Sequence, residues 1–249
     1  MIAWCAFDYA SLLHSYDGIK YPGVADGFRI SKLGASFYRA QVDPKIRSVI
    51  EPNFYWDFGS HSPSGPGERV AIFSNCDRLE LLIDGHQHAT LRPNRDEFPH
   101  LKYPPFFAKL TLDGSSKPEL RIKGYIGNNL VLSRSFSSDR TRDRLWLQAD
   151  DKELAGNGSD ATRLAFGVVD KFGAPRPFAD GEVHMQIQGP GTIVGDNPFQ
   201  LADSGGVGAV WIQAAARGAG KIRVEAHHGE LGTRSVEIHI RPAHDYKSI

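Results

Sequence analysis

The chain has 249 residues, with Lys+Arg and Asp+Glu both at 29 and a formal net charge of zero, which removes the basic footprint of a nucleic-acid binder. A hydrophobic fraction of 41% suffices for a packed core and argues against disorder. Gly 26 and Pro 15 favour many short strands between turns over long helices.

The opening stretch, MIAWCAFDYASLL, is almost entirely apolar. No Lys or Arg precedes Lys20, and Asp8 interrupts the apolar run, so a secretory leader is not expected. A membrane span, which needs about 20 apolar residues, is not expected either. The stretch reads as a buried strand. A Gly/Tyr/Pro loop, SYDGIKYPGVADG, follows it. In SKLGASFYRAQ, Leu33, Phe37 and Ala40 then fall at helical spacing, with Ser31 as N-cap. Asp43-Pro44 ends that helix, because the residue before proline is pushed out of the α region. Strand, loop and helix give residues 1–44 the texture of a βα unit.

From about residue 45 the period switches to two. Leu79, Leu81 and Ile83 alternate ahead of Asp84-Gly85, a two-residue hairpin turn. Leu110 and Leu112, then Leu120 and Ile122, flank the turn-rich DGSSKP and predict a second hairpin. The polar run RSFSSDRTRDR (134–144) reads as a domain boundary. Beyond it, Leu164/Phe166/Val168, Val183/Met185/Ile187, Ile222/Val224/Ala226 and Val236/Ile238/Ile240 alternate between Gly/Pro-rich turns, the pattern of a β-sandwich.

Candidate chemistry is sparse. ARGAGKI (216–222) has a phosphate-loop flavour, yet Ala215 stands where the first glycine belongs and Ile222 where Ser/Thr would hold Mg²⁺; a hairpin turn is the simpler account. His86 and His88, two apart on a strand, would share one face as a metal pair, but no third ligand has a recognisable spacing. Trp56, Trp146 and Trp211 are candidate sugar platforms or core residues. There is no GxSxG elbow, and no carboxylate pair stands out for glycosidase acid/base work. Asn157-Gly158-Ser159 is a glycosylation sequon that matters only in a eukaryotic secreted setting. Cys5 and Cys76 are expected as buried free thiols.

At VAIFSNCDRLELLIDG (70–85) the chain resembles the first domain after the catalytic barrel in glycoside hydrolase family 2. The match covers Ser74-Asn75-Cys76-Asp77, Glu80-Leu81 and Asp84-Gly85, with Pro52 and Trp56 fitting the family's approach to this domain. AWCAFDY (3–9) resembles the eighth barrel strand, and GVADGFRISK (23–32) the segment leading into the last barrel helix, with Ser31 where proline is usual. Residues 150–177 and GPGTIVGDNP resemble the family's C-terminal immunoglobulin-like domain.

The resemblance implies a mainly β chain. A terminal βα unit of a TIM barrel (1–44) would precede two β-sandwich domains, 45–143 and an immunoglobulin-like 144–249. It implies a retaining, β-galactosidase-like glycosidase acting on β-glycosides, with both catalytic Glu residues on earlier barrel strands. Neither position falls within these 249 residues, so the isolated chain is expected to be inactive. No catalytic residue, metal or cofactor is assigned. Trp4 is implied as part of the −1 sugar platform, and Asp8 as a second substrate-binding residue. The implied partners are a carbohydrate substrate, an N-terminal barrel region and a possible second copy, with no nucleic acid and no membrane. The alternative is a stand-alone immunoglobulin-like module for carbohydrate binding or adhesion. Nothing in the sequence fixes the compartment.

Overall fold

The structure is a computed structural model that describes residues 5–11 and 18–242. Among the described residues strands dominate; helix is confined to α1 (Ala35–Arg39) and three 3-10 turns. The chain divides into two compact units. One comprises the sequence up to Thr141 together with Phe172–Ala174, the other Arg142–Lys171 and the sequence from Pro175 onward.

The first unit begins with a two-residue ladder, β1 (Tyr9–Ala10) against β2 (Ile19–Lys20). Its body is two antiparallel sheets. The chain contributes β3 (Ile50–Pro52), β4 (Gly67–Ser74), β5 (Arg78–Ile83), β6 (His86–Leu91), β7 (Phe106–Leu110), β8 (Glu119–Ile126) and β9 (Asn129–Ser137). The sheet orders are β3-β4-β7 and β6-β5-β8-β9. Ile72, Phe106 and Leu110 from one sheet and Leu79, Leu81, Leu120 and Ile122 from the other join a single apolar cluster. The predicted alternation thus turns every second residue of β5 and β8 inward. Asp84 and Gly85 both have positive φ, 50° and 83°, the type I′ geometry that suits a two-residue hairpin.

The second unit continues with β10 (Arg144–Ala149), β11 (Glu153–Gly156), β12 (Ala161–Val169), β13 (Glu182–Gln188), β14 (Gly191–Val194), β15 (Phe199–Gln200), β16 (Val207–Ala214), β17 (Gly220–His228) and β18 (Gly232–Pro242). Its sheets are ordered β10-β12-β16-β14 and β11-β18-β17-β13-β15. Leu164, Phe166, Val210 and Ile212 are buried on the first; Val183, Ile222, Val224 and Ile238 are buried on the second. Phe166 meets Phe199 edge-on, with ring centroids 5.0 Å apart, an arrangement aromatic quadrupoles favour. The only parallel pairing among the named strands is β11 with β18.

Several local expectations need correction. The segments flanking DGSSKP do not form a hairpin: β7 pairs with β4, and β8 pairs with β5 and β9. Asp113 instead accepts a hydrogen bond from Ser115 N (2.9 Å) to cap a 3-10 turn, which carries the chain from one sheet to the other. Ser31 is not a helix cap, since α1 starts after Gly34 and has no side-chain cap. Ser31 is engaged instead in a bridge with Ala25. Residues 134–137 of the polar run belong to β9 rather than to a linker. Alternation understated β12, where Leu164 through Val169 are buried on both faces, as in a strand covered on each side.

Candidate functional site

The region holding the sequence-predicted site residues is built by close backbone approach. Val24 N donates to Cys5 O (3.1 Å), Ala25 N to Ala6 O (3.0 Å) and Asp8 N to Ala25 O (3.0 Å), with Phe7 and Ala25 in a parallel bridge. Gly23 allows that approach: a Cβ there would lie 2.3 Å from Asp8 N and 2.4 Å from Ala25 O, closer than atoms can come. Trp4 lies outside the described residues.

Asp8 is brought to the centre of this loop system. Its Oδ1 accepts from Gly23 N at 2.9 Å and from Lys32 Nζ at 2.7 Å, and its side chain is only 5% exposed. Lys32 also donates to Tyr21 O (3.2 Å) and stands over the Tyr21 ring, 6.0 Å from its centroid. The pair therefore neutralises a buried carboxylate and ties residues 21–32 to the strand that carries Asp8. A buried charge without such a partner would be strongly unfavourable. Asp26 shapes the same loop, accepting from Phe28 N (2.9 Å) and Ile30 N (2.8 Å). Burial lifts its carboxyl above the usual range, and the negative charge of Asp8 adds to the rise. The two N–H donors and Lys32 pull the other way without prevailing. Phe7, Tyr9, Ile19 and Tyr21 are exposed around this constellation, with Arg29 over the Phe7 ring at 5.2 Å.

The other candidates separate. Trp56 is buried, donates from Nε1 to Pro118 O (2.8 Å) and meets Phe58 edge-on, so it is a core residue. Trp146 is half-buried and Trp211 is exposed. His88 is the extra residue where the β5–β6 register shifts, which breaks the alternation that would have paired it with His86. Its Nε2 donates to Lys109 O (2.9 Å). Among the described residues no group of three or more His, Cys, Asp or Glu could hold a metal ion. Residues 215–219 join strands of different sheets, β16 and β17, so they form neither a hairpin nor the strand-to-helix turn of a phosphate loop. Gly218 O would lie 1.9 Å from a Cβ at Gly156; the glycine at 156 answers a packing need. Cys5 and Cys76 are both free, but only Cys76 is buried and Cys5 is half-buried; burial pushes the Cys76 thiol up.

Sequence reasoning missed a joint next to this region. Asn75, almost fully buried, accepts from Val49 N (2.8 Å) and donates to Val42 O (2.9 Å) and Arg47 O (2.8 Å). Ser74 Oγ donates to Val49 O (2.6 Å). Glu51 Oε2 accepts from Arg39 (3.3 Å) and Arg134 (3.4 Å). These bonds clamp the segment after α1 onto the two-sheet body. Their only trace in the sequence was the SNCD run itself.

Residues 145–237 match the family model described as glycoside hydrolase family 2 C-terminal domain 5. A β-galactosidase from Thermoanaerobacter pseudethanolicus is 34% identical over 239 residues, which is 90% of this chain and 31% of that protein. A β-galactosidase from Rhizobium radiobacter is 31% identical over 117 residues, 47% of this chain and 83% of that protein. The chain belongs to glycoside hydrolase family 2. It corresponds to the C-terminal part of such an enzyme. Likeness of fold extends to the crystal structure of a β-glycosidase from Bacteroides vulgatus, with a TM-score of 0.72 at 18% identity over 94% of this chain and 30% of that one. The chain thus spans about a third of the length of the Thermoanaerobacter relative. For this family 2 chain, the SNCD turn on which the sequence resemblance rested is a structural clamp, and Asp8 is held by Gly23 and Lys32.

Proposed function

We propose that the chain is the accessory, C-terminal region of a retaining β-glycosidase, and that it contributes scaffold and one side of the substrate site rather than catalytic carboxylates. In this reading residues 1–44 are the last βα unit of a (β/α)8 barrel. Residues 45–143 form a β-sandwich behind it, and 144–249 an immunoglobulin-like sandwich. TIM-barrel sites are built at the C-terminal ends of the strands, where Trp4 and Asp8 would stand. Asp8 acts there as a positioning residue, holding loop 21–32 through Gly23 and Lys32, while Trp4 supplies a sugar platform. The observation that carries the reading is the exposed apolar rim of Phe7, Tyr9, Ile19 and Tyr21 around an otherwise tightly bonded loop. Exposed apolar surface forfeits roughly 25 cal/mol per Å² that burial would gain, so this rim suits a surface that further barrel sequence covers. The substrate class is a β-glycoside.

The test joins this chain to the part of the Thermoanaerobacter β-galactosidase that the match leaves out. A folded fusion should turn over an aryl β-galactoside. Asp8→Ala should then lower its kcat/KM about ten- to hundredfold, because small displacements of positioning groups cost that much. A folded fusion without turnover overturns the reading; turnover indifferent to Asp8→Ala overturns the role given to Asp8.

A further inference from the structure

We propose that His228 is a proton-operated latch: neutral, it pins the 229–231 turn to Asp180, and protonated, it lets that turn go. His228 ends β17 and is only 5% exposed. Its neighbours fix the tautomer of the ring. Nε2 lies 2.9 Å from Asp180 O, and a carbonyl only accepts, so Nε2 carries the hydrogen. Nδ1 accepts from Glu230 N (3.2 Å) and Leu231 N (3.3 Å), so Nδ1 is bare. One tautomer of the neutral ring thus serves all three partners. An imidazolium has two donors and no acceptor. Protonation therefore aims Nδ1–H at two N–H groups that have just lost their acceptor.

The two sides of the ring differ in how firmly they are held. Gly181 has a φ of 95°, and a Cβ there would fall 2.5 Å from His228 Nε2. Glycine at 181 is what lets the ring come up to Asp180 O. Leu201 N donates to Gly181 O (3.1 Å), and Val183 pairs with both Phe199 and His228. Leu201 and Val183 are fully buried, which anchors this side. Gly229 and Glu230, on the other side, are exposed in the turn that closes the β17–β18 hairpin beyond the His228–Gly232 pair. The turn is the side that yields.

The surroundings supply both an attraction for the proton and room for the released ring. His228 borders a cavity of about 470 Å³. The titratable groups on its wall are Asp180 before β13, Glu182 and His184 on β13, His227 on β17 and Glu230 in the turn. No Lys or Arg lines it among the described residues. Three carboxylates therefore favour an imidazolium while two N–H groups oppose it, and that opposition gives the element two states. When the turn yields, a carboxylate of the wall is the partner left for Nδ1–H. The other nearby groups are engaged elsewhere. Arg234, on β18, donates to Leu145 O (3.2 Å) and Thr233 O (3.4 Å). His184 Nε2 meets Glu182 Oε2 and His227 Nδ1 meets Thr233 Oγ1, each at 3.1 Å and at exposed positions, so neither ring holds the turn. The latch uses none of the residues around Asp8 and stands or falls separately from the role given to them.

The experiment is an NMR titration of the full chain between about pH 8 and pH 5. It follows the His228 Cε1–H resonance, assigned through its own backbone, and amide exchange at Glu230 and Leu231 corrected for the intrinsic effect of pH. The turn should be held at the alkaline end and released at the acid end. Both amides should exchange about tenfold faster once the ring is protonated, with the same midpoint as the Cε1–H shift. Gln offers a donor and an acceptor in one uncharged group, so corrected exchange in His228→Gln should not vary with pH. His184→Gln and His227→Gln should behave as the parent does, and with the parent titration they decide the matter even where His228→Gln fails to fold. A His228 ring that stays neutral across the range, or that titrates without changing exchange at the two amides, overturns the proposal. So does exchange that keeps its pH dependence in a folded His228→Gln, or loses it in His184→Gln or His227→Gln.

Discussion

Asp26 shows how a loop near the site balances geometry against charge. Its carboxylate oxygen organises the turn by accepting from Phe28 and Ile30 N–H groups, yet burial and the nearby Asp8 raise its proton affinity. A carboxyl whose folded pKa is raised favours the folded state fully below its unfolded pKa, near 3.8, and that contribution is lost as pH rises through the folded value. Asp26→Asn keeps the acceptor and removes the charge. The variant should therefore unfold at a higher denaturant concentration than the parent at pH 7, with the gap closing below about pH 4; a variant less stable at pH 7 would show that the charge itself is needed. Asn75 is the opposite case, a neutral side chain whose hydrogen-bonding groups are engaged in a buried setting. Asn75→Ala leaves Val49 N and two carbonyls without that partner and should cost about 3 kcal/mol in equilibrium unfolding. A loss below about 1 kcal/mol would mean that water replaces the clamp. Neither role was legible beforehand. An Asp in a Gly-rich loop and an Asn in a conspicuous tetrapeptide carry no periodicity, and their partners lie elsewhere in the chain.

At the scale of elements, the sequence was most readable where one rule decided the outcome. Alternating Leu79, Leu81 and Ile83 before Asp84-Gly85 gave β5, its turn and β6 correctly, because side-chain period and turn chemistry agree. Reading failed where two strands adjacent in sequence belong to different sheets. DGSSKP and residues 215–219 both look like hairpin turns, yet each carries the chain across the core; local composition does not encode which partner a strand will find. The glycines there have positional meaning nonetheless. Gly156→Ala would drive a Cβ into Gly218 O and should destabilise the second unit by about 3 kcal/mol or more, read as a lowered denaturation midpoint. A nearly silent Gly156→Ala would mean that the 215–219 turn yields freely. Trp56, Trp146 and Trp211 make the same point about exposure: identical in sequence texture, one is core, one half-buried and one open to solvent.

For the whole molecule, the division into two compact units at Thr141 and Arg142 falls inside the polar run that the sequence marked, although the first part of that run is strand. Arg140 and Arg142 are exposed there. Limited trypsin digestion should cut first at these two positions and leave a resistant fragment beginning between Thr141 and Asp143. First cuts within β12 to β17 would contradict two units of comparable firmness. Mainly β architecture and family membership were within reach of the sequence, since alternation, turn residues and the SNCD stretch reinforce one another. The surroundings of the candidate residue Asp8 were less so, because Asp8 finds Gly23 and Lys32 only once the loop has folded back. The central claim is that these 249 residues scaffold a glycosidase without supplying its acid/base and nucleophile. It is tested most directly by the steady-state rate of the purified chain, alone, on aryl β-galactoside, β-glucuronide and β-mannoside. The account predicts no hydrolysis above buffer with any of them, since loss of even one key group lowers rates by orders of magnitude; turnover at enzyme-like rates with any one of them would contradict it.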